Sequence, residues 1–344
     1  MKEVLQKLIL RENLNEAEVM EVMDRIMDGS ATQAQIAGFL TALRSKGETV
    51  EEITGCARVM REKAERIYPE VEYCIDTCGT GGDGSNTFNI STAAAFVAAA
   101  GGAAVAKHGN RAMSSRSGSA DVLEALEVNI MLEPEQVKAC IEQAGIGFMF
   151  AQSFHKSMKH AAGARRELGI KTVFNILGPL TNPAGAKGQV LGVFDEKLTE
   201  VMACVLRNLG TERAMVVHGM DGMDEISTAA LTKVTELKDG DIKTYYLNAA
   251  NYGLARPAGT ELTGGDASAN AGVIRSVLSG ERGPRRDIVL INAAAALYTG
   301  KCAADLTEGL RLAADMIDTG KAGEKLNELA ELAKSFRSGQ EVPA

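Results

Sequence analysis

The sequence predicts an α/β protein, with a small N-terminal helical domain over residues 1–70 and a large α/β domain over 71–344. That second domain is expected to have a mostly parallel central sheet and a helical C-terminus. Three observations carry the prediction. Apolar residues recur at helical spacing through the first 70 positions. From Glu72 onward, strand-like and helix-like stretches alternate, the pattern of a parallel sheet with crossover helices. A glycine cluster sits where a strand would hand over to a helix.

In the N-terminal stretch, Asn15-x-x-Glu18 and Thr49-x-x-Glu52 have the form of capping boxes, and Gly29 and Gly47 are placed to stop helices. Val19, Met20, Met23, Ile26 and Met27 form one apolar stripe, a core or subunit-interface face rather than a catalytic one. Tyr73-Cys74-Ile75 then reads as the end of a buried strand, and Thr92 to Ala100 as a helix of small residues. Ala103 to Ala106 is a second short strand, and Ala214 to Val217 a third. Val234–Leu237 and Ile242–Tyr246 flank Asp239-Gly240 and predict an antiparallel hairpin. The last 80 residues, rich in Ala and Leu, return to helix.

The chemistry concentrates in Asp76-Thr77-Cys78-Gly79-Thr80-Gly81-Gly82-Asp83-Gly84-Ser85, closed by Asn89-Ile90-Ser91-Thr92. Four glycines in six positions let the backbone turn sharply and aim several N–H groups at one point. A strand, a glycine nest and a helix N-terminus together form an anion site, most often for phosphate. A Walker loop is excluded, because Gly84 is followed by Ser85-Asn86 rather than Lys-Ser/Thr. The dinucleotide pattern G-x-G-x-x-G is met, but it wants an acid about 20 residues on. No Asp or Glu lies between Asp83 and Asp121. A structural turn that binds nothing is the plain alternative.

Lys107-His108-Gly109-Asn110-Arg111, leading to Ser114-Ser115-Arg116-Ser117-Gly118-Ser119, is a second small, polar, cationic loop after a strand. Ligands of open α/β sheets collect at such strand ends. Its alternative is a solvated basic turn. Asn175 to Pro183 is a loop stiffened by two prolines. Asp224-Glu225 closes a glycine-rich turn after a strand. On a loop these neighbours can reach two different ions, and hard oxygen ligands with phosphates suit Mg²⁺. A solvated acidic surface is the alternative. His155 and His160 stand five apart on a predicted helix, so they are not an i,i+4 metal pair.

Composition narrows the class. Hydrophobic residues make up 45% and charged ones 24%, as in an ordinary globular protein. A net charge of −8 with no basic stripe argues against nucleic-acid binding. The six cysteines fit neither a zinc site nor a disulfide framework, so reduced thiols are expected. Met1 opens directly onto an amphipathic segment and no apolar run reaches membrane-spanning length, which points to a cytoplasmic enzyme without membrane contact.

Five motifs in order (Gly79–Asp83, Asn89–Thr92, Lys107–Ser119, Asn175–Pro183 and Asp224-Glu225) resemble the anthranilate phosphoribosyltransferase family over nearly the whole chain. Gln33–Leu40 and Lys46–Thr49 are similar to that family's helical domain. The resemblance implies the type III phosphoribosyltransferase fold, with a segment near 165–185 added to the helical domain and a cleft between the two domains. It implies transfer of a phosphoribosyl group from phosphoribosyl pyrophosphate to the amine of anthranilate. The phosphoribosyl pyrophosphate site would comprise Gly79, Gly82, Asp83, Thr87, Asn89, Ile90, Ser91, Thr92, Lys107, His108, Gly109, Asn110, Arg111, Ala112, Met113, Ser114, Ser115 and Ser119. Gly79, Asn110 and Arg165 would contact anthranilate, with Arg166 turned away. Two Mg²⁺ ions are implied, one on Ser91 and one on Asp224 and Glu225, together with a homodimer joined through the helical domain, which exposed methionines would suit. No general base is required, since an aromatic amine is unprotonated near neutral pH; His108 is a possible base, or equally an orienting residue. A pyrimidine nucleoside phosphorylase of the same fold and a non-catalytic nucleic-acid-binding relative are the alternatives.

Overall fold

The computed structural model describes residues 1–112, 116–254, 256–257 and 260–336. Four helices open the chain: α1 (Lys2–Ile9), α2 (Glu16–Met27), α3 (Gln33–Lys46) and α4 (Val50–Glu62). Both expected capping boxes form, Asn15 with Glu18 and Thr49 with Glu52. Gly47 ends α3 and Gly29 follows α2, each at positive φ. Glu52 does more than cap. Fully buried, it accepts hydrogen bonds from the Leu14 and Thr49 N–H groups and pairs with Lys46 at 2.8 Å. The stripe on α2 turns inward: Val19, Met23, Ile26 and Met27 are buried within this chain. The methionines therefore do not supply an exposed dimer face; the exposed apolar residues of the bundle are Ile9 and Leu10, at the end of α1.

The α/β part begins with β1 (Cys74–Gly79), α5 (Ile90–Ala100), β2 (Ala104–Gly109), α6 (Ser119–Ala125), α7 (Pro134–Ala144) and β3 (Ile146–Phe150). There follow α8 (Ala151–Phe154), α9 (Lys159–Leu168), α10 (Phe174–Leu177), β4 (Gly188–Gly192), α11 (Leu198–Asn208) and β5 (Arg213–Gly219). The hairpin β6 (Thr232–Lys238) and β7 (Asp241–Leu247) turns through Asp239 and Gly240, both at positive φ. Helices α12 (Ala267–Leu278), α13 (Pro284–Thr299), α14 (Leu306–Asp318) and α15 (Lys321–Ser335) complete the C-terminal part.

The seven-stranded sheet has the order β3-β2-β1-β4-β5-β6-β7. Strands β3 to β5 pair in parallel and the hairpin adds two antiparallel strands at one edge. From β1 the chain winds outward through β2 to β3, then returns to lay β4 on the other side of β1. The C-terminal ends of β1 and β4 thus flank a topological switch point, where Gly79 is in register with Gly192.

Two buried cores result. One joins α5, α13 and the other C-terminal helices to one face of the sheet. The other runs without a break from the N-terminal bundle, through Ala161 and Ala164 of α9 and Val173 to Leu180, onto α11 and the opposite sheet face. Gln33 stitches α3 to α9, donating to the His160 carbonyl at 3.0 Å and accepting from the Ala164 N–H at 2.8 Å.

Several sequence expectations change in detail. β1 does not stop at Ile75 but runs through Gly79, because β4 pairs with it along that length. β2 extends beyond Ala106 to Gly109, so Lys107 and His108 are strand residues and not part of a loop. His155 follows α8, apart from α9, so it does not share a helix with His160.

Candidate active site at the switch point

The glycine segment leaves β1 and turns through Gly81, Gly82 and Gly84, all at positive φ, where a side chain would be strained. Gly79 and Gly192 are required for a different reason. A methyl on Gly79 would overlap the Asp224 carboxylate, and one on Gly192 would overlap the Asp224 backbone carbonyl. The bare strand ends are what let the turn after β5 lie against the nest.

That closeness assembles the site. The Asp224 carboxylate accepts from the Gly81 N–H at 2.8 Å, and the Asp224 N–H donates to Asp83 at 3.3 Å. Glu225 accepts from the Ser91 N–H at 3.1 Å and so sits on the N-terminus of α5, where the helix dipole favours negative charge. Burial pushes Asp224 up to about 7, with the charge of Asp83 adding to it. Burial and the neighbouring Asp224 push Glu225 up to about 8. Both keep part of their surface open. Two carboxylates held against their ordinary ionisation, and still reachable, suit a hard cation. Among the described residues no three His, Cys, Asp or Glu side chains converge as a metal centre. An Mg²⁺ held by one or two carboxylates and by ligand phosphates needs no such cluster.

Strand alternation sends Lys107 and His108 to opposite faces of the sheet. Buried Lys107 donates to the Thr77 carbonyl and lies 3.4 Å from Ser91 Oγ, beneath the start of α5. Burial lowers its pKa, against the pull of Asp76, Cys78 and Glu225. His108 lies on the other side, with Nδ1 3.2 Å from the Gly178 carbonyl and its ring 5.0 Å from that of His155. Since a carbonyl only accepts, Nδ1 carries the proton, and Nε2 is a buried acceptor with no protein partner. Burial, reinforced by His155, lowers the His108 pKa to about 3. A base that weak accepts no proton near neutral pH, which favours the orienting role over the catalytic one.

The other expected residues fall into place around this centre. Thr87 bridges to Thr263. Asn89 precedes α5, donating to the Ser117 carbonyl at 3.2 Å and accepting from Asn270 at 3.0 Å. Ile90, Ser91 and Thr92 form the first turn of α5, and Thr92 Oγ1 is buried without a partner. Gly109 ends β2. Asn110 is exposed, and Ser119, the first residue of α6, donates to its carbonyl at 3.3 Å. Ala112 donates its N–H to Asp121 at 3.0 Å. The Arg111 guanidinium is turned to α6, where it pairs with Asp121 at 2.9 Å and with Glu124. Met113, Ser114 and Ser115 lie outside the described residues. Arg165 is half-buried on α9, 5.1 Å from the Phe174 ring, while Arg166 is exposed.

Three further residues hold this centre together. Fully buried Asp76 accepts from the His108 N–H at 3.2 Å and from Asn182 at 2.8 Å. Asp121 gathers the Ala112 and Gly118 N–H groups and Arg111. Lys171 reaches the Gly82 carbonyl at 3.0 Å. Asp76 opens the glycine segment of the sequence, and Asp121 left a weaker signal, an acid three residues after Gly118, which precedes α6.

Comparison with known proteins agrees with this geometry. Residues 2–64 match the glycosyl transferase family helical bundle domain, and residues 72–323 match the glycosyl transferase family a/b domain. An anthranilate phosphoribosyltransferase of Acetivibrio thermocellus is 63% identical over 342 residues, 99% of either chain. The chain belongs to the anthranilate phosphoribosyltransferase family. Within that family, the Thermus thermophilus crystal structure superimposes with a TM-score of 0.91 at 45% identity, covering 96% of this chain and 99% of that one. The Saccharomyces cerevisiae enzyme in complex with PRPP and Mg has a TM-score of 0.88 at 28% identity, covering 97% of each chain.

Proposed function

We infer that this chain transfers the 5-phosphoribosyl group of phosphoribosyl pyrophosphate to the amine of anthranilate, giving N-(5-phosphoribosyl)anthranilate and pyrophosphate in tryptophan biosynthesis. The observation that carries the reading is the junction of the glycine nest, the α5 N-terminus and Asp224-Glu225 at the switch point. The nest and the first turn of α5 would seat the phosphates, with Lys107 beneath them and the β2–α6 loop beside them.

In the reaction the amine nitrogen bonds to C1 of the ribose, the C1–O bond to pyrophosphate breaks with its electron pair on oxygen, and the amine gives up one proton. Negative charge grows on the leaving oxygens, so donors that grip it more tightly as it departs lower the barrier. Bound Mg²⁺ supplies charge neutralisation to the pyrophosphate. Asp224 and Glu225 would hold one ion and Ser91 another, the count of two that the family resemblance implies. His108, fixed by Gly178, orients the acceptor side. Arg165 would grip the anthranilate carboxylate, with Asn110 and Gly79 at the junction of the substrates.

The division proposed is residues 1–70 with a segment near 165–185 against the remainder, closing to exclude water. A homodimer joined through the helical bundle is supported by the exposed Ile9 and Leu10. A cytoplasmic site is supported by six free cysteines, and no described helix is long and apolar enough to cross a membrane. Pyrophosphate release from phosphoribosyl pyrophosphate, measured with a panel of amines, tests the function. Anthranilate alone should support turnover; release with other amines but not with anthranilate refutes the reading.

A further inference from the structure

Lys171 lies between α9 and α10, in the stretch whose next residues, Val173 and Phe174, are buried in the core of the helical bundle. Its ammonium nevertheless reaches the glycine loop on the α/β side. Nζ donates to the Gly82 carbonyl at 3.0 Å and lies 3.7 Å from the centre of the Phe194 ring, just past the end of β4. This cation therefore stands over the switch point, at the mouth of the nest. It forms no ion pair among the described residues.

Those partners are weak for an ammonium, which has three donors and a full charge. A neutral carbonyl and a ring face hold it in place without neutralising it. The other cations around the nest are already engaged. Lys107 is buried against Thr77 and Ser91, and Arg111 is paired with Asp121 and Glu124. The three glycines at positive φ lead from this contact to the α5 N-terminus, and together they suit an anion.

We propose that Lys171 is a further binding residue for the pyrophosphate group: its ammonium leaves the Gly82 carbonyl for a diphosphate oxygen when the seat fills. This rests on the function proposed above. It extends that function by giving the helical side of the cleft a contact with the phosphate donor. Because Lys171 is carried by the helical side, the filled seat keeps a tie between the two sides. An exchange of a neutral acceptor for a charged one favours the occupied state.

The test is calorimetric binding of Mg²⁺–phosphoribosyl pyrophosphate, and of Mg²⁺–pyrophosphate alone, to wild type, Lys171→Met and Lys171→Arg. Lys171 is exposed, so the variants should fold, and equal melting temperatures would verify it. Lys171→Met should bind both ligands about tenfold more weakly, as expected for loss of a hydrogen bond to a charged group. Its affinity should also depend less steeply on salt. Lys171→Arg should keep most of the affinity, and the KM for anthranilate should stay within about twofold in both, since Lys171 touches only the diphosphate. Unchanged binding in Lys171→Met overturns the inference, as does an arginine variant no better than the methionine one. If wild type binds phosphoribosyl pyrophosphate but turns over no anthranilate, the proposed function fails while the binding comparison still decides the role of Lys171.

Discussion

At the scale of single residues, the site is defined by charges kept where water does not fully solvate them. Asp224 and Glu225 are each pushed above the usual carboxylate range by burial, and each leans on a backbone N–H, that of Gly81 in the glycine loop or of Ser91 at the start of α5. If they hold Mg²⁺ on the pyrophosphate, Asp224→Asn with Glu225→Gln should fold normally and lose about 10²-fold or more in kcat, several kcal/mol of leaving-group stabilisation. Turnover near wild type at equal Mg²⁺ would remove them from the mechanism. His108 and His155 show the opposite displacement, held neutral by burial down to about 3 and about 4. The unfolded chain takes up protons on both below about pH 6.5, while the folded chain does not, so this pair contributes a loss of stability as pH drops from 6.5 toward 4, opposed by Asp224 and Glu225, which take up protons first in the folded chain. Each histidine contributes a slope of up to about 1.4 kcal/mol per pH unit. His155→Asn should therefore show a shallower acid loss than wild type in urea titrations between pH 7 and 5. Equal slopes would mean that His155 is already charged in the folded state. The carboxylate pair was legible in the sequence because it follows a strand and a glycine turn. The states of the histidines were not, since burial is a property of the packed chain.

Among elements, the strand ends and the loops laid across them do the positioning. The sequence displayed the nest, the small-residue helix after it and the hairpin turn, because each depends on local conformational preference. It did not display how far β1 and β2 extend, because a strand's length is set by its partner. Nor did it display the ties between distant loops: Asp76 meets Asn182 across 106 residues, and Lys171 meets Gly82 across 89. The first tie deserves a direct measurement. The Asn182 amide donates to the buried Asp76 carboxylate and to the Ala106 carbonyl, both at 2.8 Å. It thereby anchors the loop whose Gly178 carbonyl holds His108. Removing the amide leaves a buried carboxylate short of a donor, so Asn182→Ala should lower stability by about 1–3 kcal/mol. Its anthranilate KM should rise more than its phosphoribosyl pyrophosphate KM, because the loop faces the helical side. A stability change below about 0.5 kcal/mol, the range of ordinary surface substitutions, would show the anchor to be idle.

For the whole molecule, the question is whether two substrates meet from opposite sides of one cleft. The sheet order puts the glycine nest at the ends of β1 and β4. A continuous core joins the N-terminal bundle to α9, the helix that carries Arg165. The order of helical and α/β parts was readable from periodicity, whereas the return of the chain from β3 to β4 was not, since nothing local specifies which edge a later strand joins. Arg165 tests the two-sided arrangement. It is half-buried beside Phe174, and burial lowers its pKa with no carboxylate offsetting it, so its charge lacks an internal partner among the described residues. Arg166, the next residue, points to solvent. Anthranilate offers the planar carboxylate that a guanidinium grips best. Arg165→Ala should therefore weaken use of anthranilate by about 1.5–3 kcal/mol in kcat/KM, the range for a hydrogen bond to a charged group. The phosphoribosyl pyrophosphate KM should move little, because the proposed division would put Arg165 on the far side of a cleft from the nest. Arg166→Ala should change neither constant appreciably. Should Arg165→Ala instead spoil phosphoribosyl pyrophosphate use and spare anthranilate, the substrates do not lie as the fold's two sides require.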